Sequence, residues 1–248
     1  MENTPEEYEV IPLSADDSFI FSCTPSVSCF NECCRDISQF LTPYDILCLK
    51  NHLKLGSAEF LEKYCTQHTG PETGLPVVIL RLDPNEDMKC PFVGPEGCRV
   101  YENRPSSCRT YPLARLVSRS RETGRISEQY VLLQEEHCKG HMENHRQTVR
   151  EWVEQEGIAV CNEMNDPMVE IIALKNSLHP APLDFRERHI FHTALYDLDN
   201  FREQVFQNRL LEKSDVTPEE LRAAESDDTA LLKLGIRWVK YAIFGVRT

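Results

Sequence analysis

The 248-residue chain has no apolar run of the about 18 to 20 residues that a membrane-spanning helix needs. It also has no excess of positive charge, because 27 lysines and arginines stand against 40 aspartates and glutamates. Such a chain repels nucleic acid and anionic membrane surfaces, so neither is an expected partner. Its first residues are acidic where a secretory signal peptide is basic and then apolar. We therefore expect a cytoplasmic protein.

The chain is rich in cysteine, with eleven in all. Disulfides persist in oxidising compartments, whereas cytosolic thiols are kept reduced, so metal binding is the leading interpretation. Cys48 and Cys161 lie among apolar or helical residues and are expected in the core, while the pattern around Cys65 is ambiguous. The remaining eight are the predicted metal ligands: Cys23, Cys29, Cys33, Cys34, Cys90, Cys98, Cys108 and Cys138.

The spacing of these eight cysteines is typical of a chelating site. The short interval from Cys29 to Cys33 lets one turn of chain place two thiolates on one ion, and zinc and iron–sulfur clusters prefer thiolate ligands. Cys34 follows Cys33 directly, and neighbouring side chains diverge, so the pair faces two sites or grips separate atoms of one cluster. Eight thiolates are twice what one four-cysteine site requires. Two sites, or one polynuclear site with spare cysteines, are expected; unliganded thiols and disulfides are the alternatives.

The hydrophobic pattern predicts an α+β protein that is mostly helical. Thr42-Pro43 has the form of a helix start, and so has Thr217-Pro218. We predict an acidic lead-in (1–18), a small, loop-rich cysteine-cluster domain with a few short strands (19–142) and a helical C-terminal region (143–248). The predicted strands are 19–21, 77–82 and 130–133. The predicted helices are 43–55, 58–64, 145–156, 158–164, 167–178, 184–212 and 218–244, the last with a possible division at Asp227 and Asp228.

Residues 99–125 form a basic island, with seven arginines against two glutamates. A thiolate-ligated cluster carries negative charge, so arginines beside it would offset that charge and tune its reduction potential. This role is predicted for Arg99, Arg104 and Arg109. A solvated basic loop and the binding of an anionic substrate are the alternatives. Surface positions are expected for Arg119, Arg121 and Arg125.

Three histidines recur at helical spacing next to Cys138: His137, His141 and His145. Histidine is a common metal ligand. With eight cysteines at hand, however, we expect these side chains on a polar helix face rather than on the metal.

The cysteine pattern resembles the YkgJ-type cysteine-cluster family, described as zinc- or iron-chelating domains with a CxxCxxCC signature. The resemblance covers about residues 19–142. It rests on Phe21-x-Cys23, Cys29, Cys33-Cys34-Arg35, Leu41-Thr42-Pro43-x-Asp45-Ile46, Cys90-Pro91-Phe92, Cys98-x2-Tyr101-x2-Arg104-Pro105-x2-Cys108-Arg109-x-Tyr111-Pro112 and Cys138-x-Gly140. The first group departs from the family pattern, because five and then three residues separate its cysteines instead of two. Some relatives are called flagellin lysine N-methylases, so the resemblance allows methyl transfer to a protein lysine.

These patterns favour an intracellular metal-binding protein that holds an iron–sulfur cluster, with the 4Fe-4S type favoured and Zn²⁺ as the alternative. A redox or protein-modification role is compatible with that site. One alternative is an iron–sulfur-dependent enzyme or protein-lysine methylase, which would add a protein substrate as partner. Another is metal storage or transfer. The sequence leaves open whether the protein is an enzyme, since no nucleophile–base pair stands out.

Overall fold

The structure is a computed structural model that describes residues 9–120, 122–212 and 214–247. Residues 1–8 of the predicted lead-in, and Arg121 of the predicted surface arginines, lie outside the described residues. Helices predominate and the strands are short and antiparallel, so the predicted α+β, mostly helical class is confirmed. Within the described ranges, no helix is both long and apolar enough to cross a membrane.

The strands concentrate in the first 148 residues. They are β1 (Glu9–Leu13), β2 (Ser18–Ile20), β3 (Phe40–Leu41), β4 (Cys65–Thr69), β5 (Pro76–Leu80), β6 (Val93–Gly94), β7 (Gly97–Cys98), β8 (Leu113–Arg119), β9 (Ile126–Gln134) and β10 (Arg146–Thr148). They form small sheets with the strand orders β1-β9-β8, β10-β2, β3-β5-β4 and β6-β7.

The helices are short in the first half of the chain and longer after it. They are α1 (Pro43–Leu53), α2 (Ser57–Tyr64), α3 (Ser106–Thr110), α4 (Val149–Gln155), α5 (Ile158–Leu178), α6 (Phe185–Leu195), α7 (Leu198–Phe206), α8 (Pro218–Ser226) and α9 (Asp228–Phe244). Single 3₁₀ turns lie at Glu32–Cys34, Pro84–Glu86, Tyr101–Asn103 and Gly140–Met142.

The chain folds into two compact units. Unit 1 comprises the chain up to Ser38 together with Leu82–Asn162, and unit 2 comprises Gln39–Arg81 together with the chain from Glu163 onward. All eight predicted metal-binding cysteines fall in unit 1. The predicted segments 1–18, 19–142 and 143–248 stay a prediction.

Unit 1 has an aromatic core beneath its sheets. The Phe21 ring makes edge-on contacts with Tyr111 and Trp152, at centroid distances of 5.8 and 5.7 Å. The Trp152 indole N–H donates to the Thr110 carbonyl at 3.1 Å, so α4 is tied to α3 through a satisfied polar group. The buried members of this core are Phe19, Phe21, Leu113, Tyr130, Leu132 and Val149, and Cys138 packs against them. The segment that carries Cys138 is thereby fixed to the core.

Unit 2 contains the predicted helix starts at Thr42 and Thr217. The Thr42 hydroxyl accepts from the Asp45 amide at 3.1 Å, and the Asp45 carboxylate accepts from the Thr42 amide at 2.9 Å. This capping box satisfies amides that the first turn leaves without a helical partner. Thr217 makes the same arrangement with Glu220. Helices α6 and α9 approach so closely that a Cβ on Gly235 would overlap an α6 carbonyl oxygen.

Several predicted element boundaries are wrong. The predicted helix 145–156 begins as β10, which pairs with β2, and only 149–155 are helical. Pro167 does not end a helix, because α5 continues through it to Leu178; an interior proline costs a hydrogen bond but packing can sustain the helix. The predicted helix 184–212 divides at Tyr196, and the predicted division at Asp227 is confirmed.

The structure also gives the burial of the three cysteines outside the predicted ligand set. Cys161 is buried, as predicted, and Cys65 is buried at the start of β4. Cys48 is only half-buried on α1, so its predicted core position is wrong. One face of that short helix remains near solvent, which explains the difference.

Candidate metal centre

The first cysteine segment is held against the Cys138 segment by backbone hydrogen bonds. The Ser22 amide donates to the Gly140 carbonyl at 3.1 Å, and the Phe21 amide donates to the His145 carbonyl at 3.0 Å. Gly140 permits this approach, since a Cβ there would lie 2.7 Å from the Phe21 ring and 2.8 Å from the Ser22 carbonyl oxygen. Tight turns between Thr24 and Cys34 then return the chain over Cys138.

A concave site gathers the first set of thiols. The cavity is small and opens to solvent. Its lining comprises Phe21, Ser22, Cys23, Val27, Cys29, Cys33, Tyr111, His137, Cys138 and Gly140. The Cys29 sulfur accepts a hydrogen bond from the Lys139 amide at 3.1 Å, which is the kind of contact that stabilises a negative sulfur. We call Cys23, Cys29, Cys33 and Cys138 the first set.

The other four predicted ligands come from separate loops. The Cys90 amide donates to the Cys34 carbonyl at 2.9 Å, so the two segments run side by side. Cys98 ends the β6–β7 hairpin, and the Cys108 residue lies exposed on α3. We call Cys34, Cys90, Cys98 and Cys108 the second set. Each of these short elements has few buried side chains of its own, as is typical of loops that a ligand would hold together.

Electrostatic interactions show which sulfurs influence one another. The pKa of Cys23 is raised to about 11, first by partial burial of its sulfur, although the residue as a whole is exposed, and then by Cys33, Cys29 and Cys138. The pKa of Cys34 is raised by its hydrogen bond to Cys33, by burial, and by Cys33, Cys90 and Cys108. Burial also raises the pKa of Cys90 and of Cys98, and Cys98 adds to the effect on Cys90.

The adjacent cysteines connect the two sets. The Cys34 thiol donates to the Cys33 sulfur, and this hydrogen bond is the main reason that the pKa of Cys33 is lowered to about 7. Cys33 acts on Cys23 of the first set, whereas Cys34 is acted on by Cys90 and Cys108 of the second. Cys33 and Cys34 therefore have different partners, as the predicted divergence of neighbouring side chains requires, although a hydrogen bond still links them.

The three predicted arginines occupy different environments. Arg104 is buried, stacks on the Tyr101 ring at 3.7 Å and forms an ion pair with Glu156. Its positive charge partly offsets the burial that raises the pKa of Cys98 and of Cys23. Arg99 is exposed, donates to the Pro91 carbonyl at 2.6 Å and exerts the same influence on Cys90 and Cys98.

The Arg109 side chain links nearby backbone segments through hydrogen bonds. It donates to the carbonyls of Arg104 at 3.2 Å and Glu156 at 3.0 Å, and also to the carbonyl of Glu102. These contacts join the loop that precedes α3 to the end of α4. Arg119 and Arg125 are exposed at the tip of the β8–β9 hairpin, as predicted.

The predicted helix face of histidines is wrong. His141 lies in the 3₁₀ turn Gly140–Met142, and His145 lies just before β10. His137 is exposed, 3.7 Å from a Glu135 carboxylate oxygen. The His141 ring packs on Phe21 at 5.4 Å, and both of its nitrogens are buried without a hydrogen-bond partner among the described residues. A buried imidazole in this state is unsatisfied by the protein alone.

Sequence patterns did not reveal two polar partners of the site. The Tyr111 hydroxyl donates to Glu135 at 2.8 Å and also interacts with Cys138, and burial is the first cause of its raised pKa. Glu156, at the end of α4, balances the charge of Arg104. No linear signal links residues 24 or 52 positions apart, so only the fold could identify these pairs.

The donor chemistry of the site fits zinc or iron. Soft thiolates are the ligands that both zinc and iron–sulfur clusters prefer, and unit 1 supplies eight cysteines with arginine charge near several of them. Within residues 9–120, 122–212 and 214–247, no group of three or more His, Cys, Asp or Glu side chains has the spacing that would hold one ion. The thiols thus share a region without surrounding one common point.

A cysteine-cluster domain of α+β type, with arginines beside its thiols, is the class of protein that this fold and site define. Residues 22–139 match the family model CxxCxxCC, described as "Putative zinc- or iron-chelating domain". The predicted resemblance is thereby confirmed over this segment, and the match supports metal binding as its general property. No curated protein and no solved structure matches the chain significantly.

Proposed function

We propose that this protein holds an iron–sulfur centre, with zinc as the alternative metal, through the first and second cysteine sets. The observation that carries the proposal is that Cys33 and Cys34 interact with each other, while Cys33 also acts on Cys23 of the first set and Cys34 is acted on by Cys90 and Cys108 of the second. A polynuclear centre uses such a pair well, because adjacent thiolates can bind neighbouring metal atoms. A single four-coordinate zinc would leave half of the thiols unused.

The charges around the site support a negatively charged centre. Arg104 is buried and Arg99 lies next to Cys98, and the charges of both partly offset the burial that raises the pKa of Cys98. The Lys139 amide already donates to the Cys29 sulfur. Hydrogen bonds and positive charge near the sulfurs stabilise thiolates and raise the reduction potential of an iron–sulfur cluster. The His141 imidazole, with its buried nitrogens, would add a further donor beside Phe21.

The composition of the purified protein tests the proposal. The chain is purified anaerobically in reductant, and iron, zinc and acid-labile sulfide are measured per chain together with the visible spectrum. An iron–sulfur centre gives a brown protein with iron and sulfide in equal amounts. A colourless protein with two zinc ions and no sulfide would establish the alternative metal. A protein with neither, even after reconstitution with iron and sulfide or with zinc, would overturn both.

Exposure of two ligand candidates favours metal storage or transfer as a second function. Cys23 and Cys108 are the exposed members of their sets, so an acceptor could reach one thiol of each set. Transfer of metal from the wild-type protein to a competing chelator should then be fast. Exchange over many hours in the wild-type protein would exclude this function.

A methyl donor that leaves the melting temperature unchanged would likewise argue against protein-lysine methylation.

A further inference from the structure

The turn that follows β9 places a carboxylate beside a predicted metal ligand. The Cys138 amide donates to the Glu135 carbonyl at 3.0 Å, so the two residues belong to one tight turn. A Glu135 carboxylate oxygen lies 3.7 Å from Nε2 of the exposed His137 ring. The hydrogen bond from Cys34 lowers the pKa of Cys33, whereas the charge of Glu135 acts in the opposite direction. One carboxylate therefore adjoins Cys138 and acts on Cys33, both of the first set.

The Tyr111 hydroxyl interacts with both the carboxylate and the neighbouring sulfur. It donates to a Glu135 carboxylate oxygen at 2.8 Å. Burial is the first cause of the raised pKa of Tyr111, and interactions with Cys138 and Glu135 raise it further. The phenol therefore stays protonated and keeps one O–H to donate to these acceptors.

Backbone contacts and packing fix the position of the Tyr111 ring. The Tyr111 amide donates to the Ser107 carbonyl at 3.0 Å. The Leu133 amide donates to the Pro112 carbonyl at 2.9 Å, so the segment after α3 runs beside the end of β9. The ring packs edge-on against Phe21 at a centroid distance of 5.8 Å. The side chain is thereby held in the wall of the cavity that gathers the first set.

The negative charge next to Glu135 increases when the cysteines ligate a metal. Each cysteine must lose its proton to become a ligand, and four thiolates around a divalent ion carry net negative charge. Like charges at close range repel, and partial burial reduces the screening of that repulsion by water. An O–H group beside two anions offsets the repulsion, because hydrogen bonds to charged acceptors are stronger than those between neutral groups.

We propose that Tyr111 is a positioning residue of the metal centre, whose hydroxyl offsets the repulsion between the Glu135 carboxylate and the Cys138 thiolate. This inference rests on the proposed metal-binding function. Loss of the hydroxyl leaves the carboxylate beside an anionic ligand without that donor. The affinity of the first set for metal should then fall, and it should recover when the carboxylate is also removed.

Removal of the hydroxyl alone tests the role of Tyr111. Binding of Co²⁺ to the full, reduced and metal-free chain is followed by thiolate-to-cobalt absorption. Tyr111→Phe keeps the ring against Phe21, and we expect its Co²⁺ dissociation constant to rise by about tenfold, as for other hydrogen-bond partners of metal ligands. Tyr101→Phe is the matched control, because that half-exposed ring keeps its stacking on Arg104 without its hydroxyl. It should bind Co²⁺ as the wild-type protein does.

Removal of the carboxylate separates this charge effect from a packing defect. Glu135→Gln keeps an oxygen that can accept from Tyr111 but loses the negative charge. It should bind Co²⁺ about threefold more tightly than the wild-type protein, as expected for the loss of a partly exposed like-charge contact. The double variant Tyr111→Phe/Glu135→Gln should recover most of the affinity that Tyr111→Phe loses, because no carboxylate remains to repel the thiolate. A packing defect would not be reversed by a change at residue 135.

The outcomes distinguish the role of Tyr111 from the proposed function. Equal Co²⁺ binding by the wild-type protein and Tyr111→Phe would overturn the role of Tyr111 and leave the metal centre standing. A double variant that binds as weakly as Tyr111→Phe would do the same. If Tyr111→Phe does not fold, Glu135→Gln decides, since binding no tighter than that of the wild-type protein would refute the repulsion. A wild-type chain that binds neither Co²⁺, zinc nor iron would overturn the metal centre and this inference together.

Discussion

The guanidinium carbon of Arg104 lies 3.7 Å from the centroid of the Tyr101 ring, on the face of an aromatic side chain that is itself half exposed. Tyr101 thus covers a buried arginine whose charge is balanced by Glu156. Arg104 also donates to the Tyr101 carbonyl at 2.6 Å, so one side chain fixes both the ring and its backbone. The loop between Cys98 and Cys108 is held by this arginine.

Removal of Arg104 should destabilise the protein strongly. Arg104→Met leaves the Glu156 carboxylate, 16% exposed, without its counter-ion, and breaking a buried pair costs about 3 to 5 kcal/mol. Urea unfolding measures the loss. Arg125→Ala, at the exposed hairpin tip, is the control and should change stability by less than about 0.5 kcal/mol. Similar effects of the two variants would contradict the proposed importance of the pair.

A methyl group at Gly140 should disturb the approach of the first cysteine segment. Gly140→Ala places a Cβ 2.7 Å from the Phe21 ring and 2.8 Å from a backbone oxygen, and such overpacking costs about 1 to 3 kcal/mol. Gly94→Ala is the matched control, because its Cβ would meet no atom closer than 3.8 Å. Thermal melting compares the two. If both variants have the melting temperature of the wild-type protein, the close approach of the first cysteine segment to Gly140 is not required.

Serine variants distinguish one polynuclear centre from two separate sites. Cys33→Ser removes a thiol from the first set, and Cys90→Ser removes one from the second. If each set binds its own ion, each variant should lose about half of the bound metal, since each set supplies the four ligands of one site. If both sets share one cluster, either variant should lose nearly all of it. Cys48→Ser, half-buried on α1, should retain the full metal content measured by elemental analysis.

Metal removal should lower the melting temperature. The ligand loops come from separate segments with little packing of their own, so metal that binds only the folded chain stabilises it. At a metal concentration 100 times the dissociation constant, the effect is about 2.7 kcal/mol, which corresponds to roughly 5 °C or more for a chain of this size. Calorimetry before and after exhaustive chelation in reductant measures it. Identical melting curves would mean that folding and metal binding are uncoupled.

Acid should weaken a charge cluster in unit 2. Asp228 accepts from Lys50 at 3.2 Å and from Asn51 at 2.9 Å. Burial raises the pKa of Asp228, but these contacts and the charge of Arg202 outweigh it, so the pKa lies below its usual 3.8. A lowered folded pKa means that the stabilisation is present above the unfolded value and is lost as the pH falls through the folded one.

The stability difference between wild type and Asp228→Asn should therefore stay constant from neutral pH to about pH 5 and shrink below about pH 4. Urea unfolding at several pH values measures this difference. Asp16→Asn, an exposed carboxylate of unit 1, controls for the removal of one negative charge. A difference that persists unchanged in acid would show that Asp228 contributes through shape rather than charge.

The chain's local chemistry determined much of the fold in advance. Helix starts at Thr42 and Thr217 follow from a hydroxyl, a proline and an acid within four residues, because capping acts over a single turn. The strand core at 77–80 follows from a β-branched run. The cysteines and the residues that flank them were enough to predict a family resemblance, which the match over residues 22–139 confirms.

Tertiary packing decided what local signals could not. Strand β8 was not predicted, since its outer half has no buried face and shows no alternation of polar and apolar residues. Helix α5 continues through Pro167 because its packing outweighs one lost hydrogen bond. The sequence established that Cys33 and Cys34 are adjacent. Only the fold decided that one acts on Cys23 and the other on Cys90 and Cys108, because electrostatic interaction depends on distance through space, not on separation along the chain.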